Sequence, residues 1–266
     1  MDEYPVKLGS MLFTLVDPHR GHEVAYNRWY ERDHFYAGCM IGPWLLAGKR
    51  YVATRALKDL RFPSDSTVAV PVDAGSYLAI YWIHEGRHDE HFKWSNEQVH
   101  ALYESGRGFA ERSHVHTILA DHAGTEYRDA DPVPVELALD HAFGGLVCVF
   151  LDRADGVSHE ALVDALRPQA LPTLFDDSPV AMAAGFLPIP REGDVTSESP
   201  MDLGSDPGGP ERSFQLCFVE RDPREEWSRF VDYAAAIEAT GLARVVLAAP
   251  LIPTDVGTDR YTDELW

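Results

Sequence analysis

The sequence predicts an α+β chain in which two tandem βαββαβ units pack sheet on sheet into a closed barrel. Runs of aromatic and β-branched residues alternate with amphipathic runs in the order strand, helix, strand, strand, helix, strand, and the order then repeats. Matching elements of the two copies are separated by about 136 residues, a self-similarity that marks a duplicated unit. In both copies the longest loop falls between the second and third strands.

The first unit spans residues 1–125. Its first strand ends clearly at Asp17-Pro18, and its third is rich in aromatic and β-branched residues. Strands are predicted at 8–16, 44–54, 77–84 and 114–121, with one helix from 21 to about 38 or 42 and another at 89–105. A long connection at 56–75 joins the second strand to the third.

The second unit spans residues 144–266 and follows a linker at 126–144. Strands are predicted at 145–151, 180–189, 213–220 and 243–252, and helices at 158–166 and 223–239. The loop at 197–212 is polar and rich in Gly and Pro, which predicts a mobile segment. Each unit has the ferredoxin-like element order, and two such sheets can close into a barrel with pockets between sheet and helices.

Composition limits the partners of the chain. A formal net charge of −20 would repel nucleic acid and anionic membranes, so neither is expected as a partner. The three cysteines lie in or beside apolar runs, which predicts buried free thiols in a reducing compartment. The opening run MDEYPVKLGS lacks the apolar stretch of a signal peptide, and no apolar run reaches membrane-spanning length. We therefore expect a cytoplasmic protein.

The most distinctive chemistry lies in residues 21–54, which read as a helix, a turn and a strand. Tyr26, Tyr30 and His34 follow i, i+4, i+8 spacing, so their side chains share one helix face. Trp29 lies beside that face, and the strand brings Arg50. A histidine, two tyrosines and an arginine near one another can bind and polarise a small oxygenated molecule.

A family resemblance rests on these residues. Asn27-Arg28-Trp29-Tyr30, His34 and Gly48-Lys49-Arg50-Tyr51 resemble the N-x-W-Y-x-x-x-H … R-Y pattern of the EthD-like branch of the dimeric α/β-barrel superfamily. Residues 76–81 are similar to that branch's third strand, and residues 253–263 resemble the tails of its two-copy members. The superfamily holds polyketide cyclases, monooxygenases, muconolactone isomerases and haem-binding chlorite dismutases, so the resemblance implies the fold more strongly than the reaction.

Three residues are predicted to be catalytic. His34 would move a proton, because an unperturbed imidazole titrates near neutrality. Tyr30 would donate a hydrogen bond, and Arg50 would stabilise developing negative charge. Substrate-binding contacts are predicted for Tyr26, Asn27, Trp29, Tyr51 and Tyr81. Two structural alternatives stay open: His34 could stabilise a helix end, and Arg50 could pair with Glu31 or Asp33.

The second copy keeps the apolar frame of this region without its polar residues. Applying the offset places Val163, Ala165, Leu166 and Ala170 opposite Asn27, Trp29, Tyr30 and His34, respectively. A motif that served folding alone would be expected in both copies. The difference therefore predicts that only the first unit carries chemistry.

The histidines between His84 and His122 raise the alternative of a metal or haem site. His114 and His116 alternate along a strand and would share a face, and His88 and His91 could share a helix face. No established metal-ligand spacing is present, and a haem needs both an axial ligand and a large apolar pocket. We therefore predict neither a metal nor any other cofactor.

Taken together, these patterns predict a cofactor-independent enzyme. Its substrate would be a small, hydrophobic, oxygenated molecule, aromatic or polyketide-like, and its chemistry would be proton transfer: cyclisation, isomerisation, dehydration or elimination. The alternatives are a non-catalytic small-molecule binding protein and a haem or metal oxidoreductase. The tail 257–266 carries Tyr261, Leu265 and Trp266, so it is expected to dock on its own barrel or across a homodimer interface.

Overall fold

The strands and the predicted helices follow one another in the order that the sequence predicts, and two short helices, Arg55–Lys58 and Leu171–Phe175, are additional. The computed structural model describes residues 5–191, 197, 199 and 201–266. The strands are β1 (Leu8–Pro18), β2 (Leu45–Val52), β3 (Tyr77–His84), β4 (Arg112–Tyr127), β5 (Gly145–Arg153), β6 (Val180–Pro188), β7 (Arg212–Val219) and β8 (Ala243–Pro253). The α-helices are α1 (Glu23–Trp29), α2 (Arg55–Lys58), α3 (His88–Glu104), α4 (His159–Gln169), α5 (Leu171–Phe175) and α6 (Trp227–Ala239).

The strands pair in the order β1-β3-β2-β8-β5-β7-β6-β4 and close into a barrel. The two units meet at two antiparallel seams. At one, Tyr51 and Val52 of β2 pair with β8; at the other, β4 pairs with β6 from Ala120 to Tyr127. The predicted fold class, an α+β barrel of ferredoxin-like units, is therefore confirmed.

Alternation along the strands divides the side chains between the barrel interior and an outer layer beneath the helices. Inside, the rings of Phe150 and Phe214 stack with 4.6 Å between centroids, and Phe13 lies 5.6 Å from Phe150. Beneath the second unit's helices, Leu162 and Phe230 belong to a separate buried cluster. The three cysteines are buried and free, as predicted.

Strand β4 differs from the prediction in length and in register. It extends to Tyr127, because its second half pairs with β6 of the other unit. Against β1, Leu15 faces His116 and Val16 faces His114, so Val115 is an extra residue in β4, a β-bulge. The bulge turns His114 and His116 to opposite sides of the sheet. The expectation that they share a face is therefore wrong.

The first predicted helix is also interrupted. After α1, the backbone continues through two π-helical turns, Tyr30–His34 and Tyr36–Met40. Wider turns of this kind change the angular spacing of side chains and are frequent at functional sites. The helix therefore keeps its predicted extent, but the rotation of its later residues could not be derived from regular α-helical spacing.

The C-terminal tail docks on its own barrel, as one of the two predicted arrangements. Leu265 is 0% exposed, and the backbone N–H of Arg55 donates to the Glu264 carbonyl at 2.7 Å. The indole Nε1 of Trp266 donates to Glu23 at 2.6 Å, and the Asn27 amide donates to the Thr258 carbonyl at 2.9 Å. These contacts attach the tail to the helix that carries the predicted site.

Two expectations reach beyond the part of the chain that is described. The run predicted to lack a signal peptide begins with residues 1–4, which lie outside the described residues. Residues 198 and 200 of the loop predicted to be mobile also lie outside them. Within the described ranges, no helix is both long enough and apolar enough to cross a membrane.

Candidate functional site

A pocket lies in the first unit, between the outer face of the sheet and the helical layer above it. The sheet contributes Thr14 and Tyr81, and the helical side contributes Phe92 and Val99 from α3. Met201, from the loop before β7, closes one wall, so the second unit also takes part. The cavity has a volume of about 110 Å³ and its walls are mostly apolar.

His34 projects from the first π-helical turn into this pocket. Its imidazole stacks on Trp29 with 4.5 Å between ring centroids. The ring also lies against the backbone at Gly38, where an added Cβ would come within 3.3 Å of Nδ1. Burial lowers the pKa of His34 from 6.5 to about 3, and the nearby Arg112 guanidinium adds to the shift. The imidazole is therefore neutral at physiological pH.

A second imidazole, that of His114, enters the pocket from β4 because of the bulge at Val115. Its Nδ1 lies 2.7 Å from the hydroxyl of Thr117, which in turn lies 2.8 Å from the hydroxyl of Thr14. Its Nε2 is buried and has no hydrogen-bond partner among the described residues. Burial, with smaller contributions from Arg112 and His34, lowers the pKa of His114 to about 3. The pocket thus contains two neutral imidazoles.

Tyrosine and cysteine side chains line the inner end of the pocket. The hydroxyls of Tyr30 and Tyr81 lie 2.9 Å apart, and both rings are buried. Burial raises the pKa of Tyr30 and that of Tyr81 and raises the pKa of the Cys39 thiol to about 12, so all three groups are protonated. The ring of Tyr30 also meets Trp29 at 5.7 Å, which makes a continuous array of oxidisable side chains.

Arg50 lies outside the pocket walls, in a cluster beneath α1. Its guanidinium donates to Glu31 at 3.1 Å and to Asn27 at 2.9 Å, and both members of the ion pair are buried. It also lies over the rings of Tyr30 and Tyr77, 4.6 and 5.0 Å from their centroids. The structure thus shows the ion pair with Glu31 that the sequence allowed as the alternative to anion binding.

The remaining predicted residues fall into different environments. Trp29 supports His34 and donates from Nε1 to the Arg107 carbonyl at 2.8 Å. Asn27 and Tyr26 belong to the Arg50 cluster, and Asn27 also holds the tail. Tyr51 follows Arg50 on β2, so alternation turns it away from the helices into the barrel interior, where it is 0% exposed. Of the predicted set, Tyr30, His34 and Tyr81 line the pocket together.

The histidines that suggested a metal site are dispersed. His88 lies 2.8 Å from the Ser10 hydroxyl, and His91 lies 2.7 Å from the Pro43 carbonyl. His116 lies inside the barrel against Phe13 and Phe150. No group of three or more His, Cys, Asp or Glu side chains within the described ranges is arranged to hold a metal ion.

Sequence reasoning missed most of the pocket wall, including its arginine, Arg112, and its second histidine, His114. The Arg112 guanidinium lies 4.6 Å from the centroid of the Trp29 ring and donates to the Tyr103 hydroxyl at 3.1 Å. His114 was considered only with His116, as part of a metal set. The position of His114 in the pocket depends on the β-bulge, and no residue type in β4 predicts a bulge at Val115.

Comparison with known proteins supports the fold. No protein-family model and no curated protein matches the chain. Among solved structures, an anthrone oxidase-like protein matches with a TM-score of 0.55 at 9% identity, covering 96% of this chain and 98% of its own. A dye-decolorizing peroxidase from Bacteroides thetaiotaomicron VPI-5482 matches with a TM-score of 0.53 at 11% identity, covering 95% of each chain. A DypB variant from Rhodococcus jostii RHA1 in complex with heme matches with a TM-score of 0.51 at 10% identity, covering 97% of this chain and 96% of its own. The chain therefore shares the dimeric α/β-barrel fold of these proteins.

These matches correct the functional expectation. The chain was expected to be a cofactor-independent proton-transfer enzyme, whereas the similar structures are described as oxidase-like, as a peroxidase and as a heme complex. They favour the alternative of a haem or metal oxidoreductase over the main expectation. The pocket agrees, because a histidine with a pKa of about 3 is a poor general acid or base near neutral pH.

The pocket can be compared with the donor atoms and the space that a haem needs. The donor atoms suit it, since a neutral imidazole with an unpartnered Nε2 and a fixed Nδ1 is a good axial ligand. The space does not. A cavity of about 110 Å³ is of the same order as the roughly 150 Å³ cavity that holds benzene, and a porphyrin is several times larger than benzene. The walls as they stand therefore do not accommodate a haem.

Proposed function

We propose that the protein is an oxidoreductase that oxidises a small hydroxylated aromatic molecule in the first-unit pocket. The observation that carries this proposal is the unpartnered, buried Nε2 of His114 in an apolar cavity. A buried acceptor without a partner is costly, and a ligand hydroxyl would satisfy it. The oxidation chemistry named for proteins of the same fold supports the reaction class.

The walls favour a flat substrate with a single ring. Phe92, Val99 and Leu119 give an apolar lining, and the volume is close to that of a benzene-sized cavity. If the Nδ1 proton of His114 is donated to Thr117, the lone pair on Nε2 faces the ligand. A phenolic hydroxyl can then donate to Nε2 while its ring packs against the apolar wall.

Oxidation of such a hydroxyl removes one electron and one proton. An imidazole with a pKa of about 3 is too weak a base to deprotonate a resting phenol. Loss of the electron makes the ring a far stronger acid, and His114 can then accept its proton. The electron goes to an external oxidant: two phenols reduce one hydrogen peroxide to two waters, or one dioxygen to hydrogen peroxide, and leave two phenoxyl radicals.

The aromatic array gives the electron a route through the protein. Tyr81 contacts Tyr30, Tyr30 contacts Trp29, and Trp29 is partly exposed beside Arg107. We therefore assign Tyr30 and Tyr81 to electron transfer and wall formation. His34, stacked on Trp29, holds that ring in place. Within the superfamily we assign the chain to the EthD-like branch, on the motif from Asn27 to Tyr51.

The test is incubation of the full chain with a panel of hydroxylated benzenes, under dioxygen and with hydrogen peroxide. Substrate loss and oxidant consumption are measured together. The proposal predicts catalytic loss of at least one substrate, with two phenols oxidised for each peroxide. Substrate loss without oxidant consumption would contradict it.

Addition of hemin is the second arm of this test. The volume of the cavity predicts no stoichiometric binding. A Soret band that saturates at one hemin per chain and is lost in His114→Phe would show that the pocket belongs to a haem, and would overturn its assignment to the aromatic substrate.

A further inference from the structure

We propose a second ligand site, in the second unit, for a small monocarboxylic acid with a short apolar chain. It lies in a cavity of about 230 Å³ between α4 and the outer face of β5, β6 and β7. The inference does not depend on the proposed oxidation. It differs from the expectation that only the first unit carries chemistry.

The cavity exists because its floor is built from small residues beneath a helix. Gly185, Ala183 and Ser213 face α4 from the sheet, and a Cβ added to Gly185 would meet only the Gly124 carbonyl, at 3.3 Å. Leu162 and Leu166 of α4 form an apolar roof. The enclosed volume exceeds the roughly 150 Å³ that holds benzene, so an organic ligand fits.

Ser213 provides the first polar contact. It is 2% exposed, and its hydroxyl has no hydrogen-bond partner among the described residues. Its neighbour on the same strand face, Gln215, accepts a hydrogen bond from Tyr233 of α6 at 2.8 Å, which identifies this face as the one turned toward the helices. The Ser213 hydroxyl is therefore a buried, unsatisfied group directed into the cavity.

His159 provides the second polar contact, from the first turn of α4. Both of its ring nitrogens are buried and neither meets full hydrogen-bond geometry in the described structure, although the Ala123 backbone lies close enough to the ring to raise its pKa. Burial lowers the pKa of His159, and the charge of Arg153 adds to the shift. The carboxylate of Glu160 opposes that shift, and the ring keeps one N–H that can be donated to a ligand.

The arrangement of donors selects the class of ligand. The Ser213 hydroxyl, one ring N–H of His159 and the Gln215 amide, whose oxygen is taken by Tyr233, can all donate into the cavity. The carboxylate of Glu126 is occupied, because it accepts from Arg167 at 2.8 and 3.1 Å at the rim. Several free donors beside an apolar roof suit a carboxylate whose hydrocarbon chain lies under α4.

Straight-chain carboxylates from acetate to octanoate, with the matched primary alcohols, are titrated into the full chain by isothermal calorimetry. Affinity should rise with chain length until the cavity is full and then fall, and each alcohol should bind at least about tenfold more weakly than its acid. Ser213→Ala should weaken binding of the best acid about tenfold, the effect of losing one charge-assisted hydrogen bond. It should leave the melting temperature unchanged or higher.

Two further variants locate the site. Val163→Phe fills the cavity from the half-buried face of α4 and should abolish binding, whereas His34→Ala in the first unit should leave the affinity unchanged. The inference is overturned if no acid binds saturably, if alcohols bind as well as acids, or if Ser213→Ala and Val163→Phe, both folded, bind like the wild type. If Val163→Phe does not fold, Ser213→Ala alone decides.

Discussion

Acidification should destabilise the folded chain through three histidines, the buried His116 and the half-buried His34 and His114. Burial lowers the pKa of each from 6.5 to about 3. The unfolded chain then binds more protons than the folded chain at any pH between these values. The stability that these residues provide is therefore complete above about pH 6.5 and is lost as the pH falls toward 3.

The magnitude follows from proton linkage. Between pH 7.5 and pH 5, a histidine with these two pKa values costs the folded state about 2 kcal/mol. Three such histidines together therefore take a large share of the roughly 5–15 kcal/mol that stabilises a typical protein. We therefore expect a steep loss of stability above the pH range in which carboxylates titrate.

Urea denaturation of the wild type and of His114→Phe at pH 7.5 and pH 5 measures the effect. Phenylalanine cannot titrate, so the loss of unfolding free energy should be smaller in the variant by about 2 kcal/mol. His22→Phe, at an exposed histidine, is the control and should leave the loss unchanged. If His114→Phe and His22→Phe both lose as much stability as the wild type, His114 is not held neutral by burial.

Two further predictions concern stability. Leu265→Ala should lower the unfolding free energy by about 3 kcal/mol, because Leu265 is 0% exposed in the core. Val256→Ala, at an exposed site just before the tail, should have little effect in the same denaturation assay. Glu31→Ala should lower the unfolding free energy by about 3–5 kcal/mol, because it leaves Arg50 buried without its partner. Asp33→Ala removes a more exposed ion pair, with Arg107, and should lower the unfolding free energy far less. If the two variants of either pair lower the unfolding free energy equally, the burial that underlies that prediction is contradicted.

The fold was predictable because each element is marked locally. Apolar alternation identifies the strands, and the Asp17-Pro18 break and the spacing of about 136 residues between similar elements indicated how they are grouped. The three large apolar groups of the tail likewise predicted its docking, and Leu265 carries it. Local sequence patterns do not predict the pairing of β4 with β6, and this pairing lengthens β4 to Tyr127. That pairing depends on how two distant sheets meet.

The site was predictable in part. Helical spacing placed Tyr30 and His34 together, and the third strand supplied Tyr81. Spacing could not show that Arg50 is held by Glu31, because the rotation of the helix over the sheet decides which partner it reaches. His114 was missed because one extra residue in β4 reverses the face of every side chain before it. Met201, which forms one wall of the pocket, belongs to the second unit, and nothing in the sequence around residues 27–51 indicates that it lies there.

Oxidant consumption by the matched variants His114→Phe and His116→Phe tests the proposed reaction most directly. Both replace a histidine of β4 by the same side chain, one in the pocket and one inside the barrel. With a hydroxylated benzene that the wild type oxidises, His114→Phe should lower kcat/KM by roughly 100-fold or more, and His116→Phe should retain it. Equal turnover by both folded variants would contradict oxidation at the first-unit pocket.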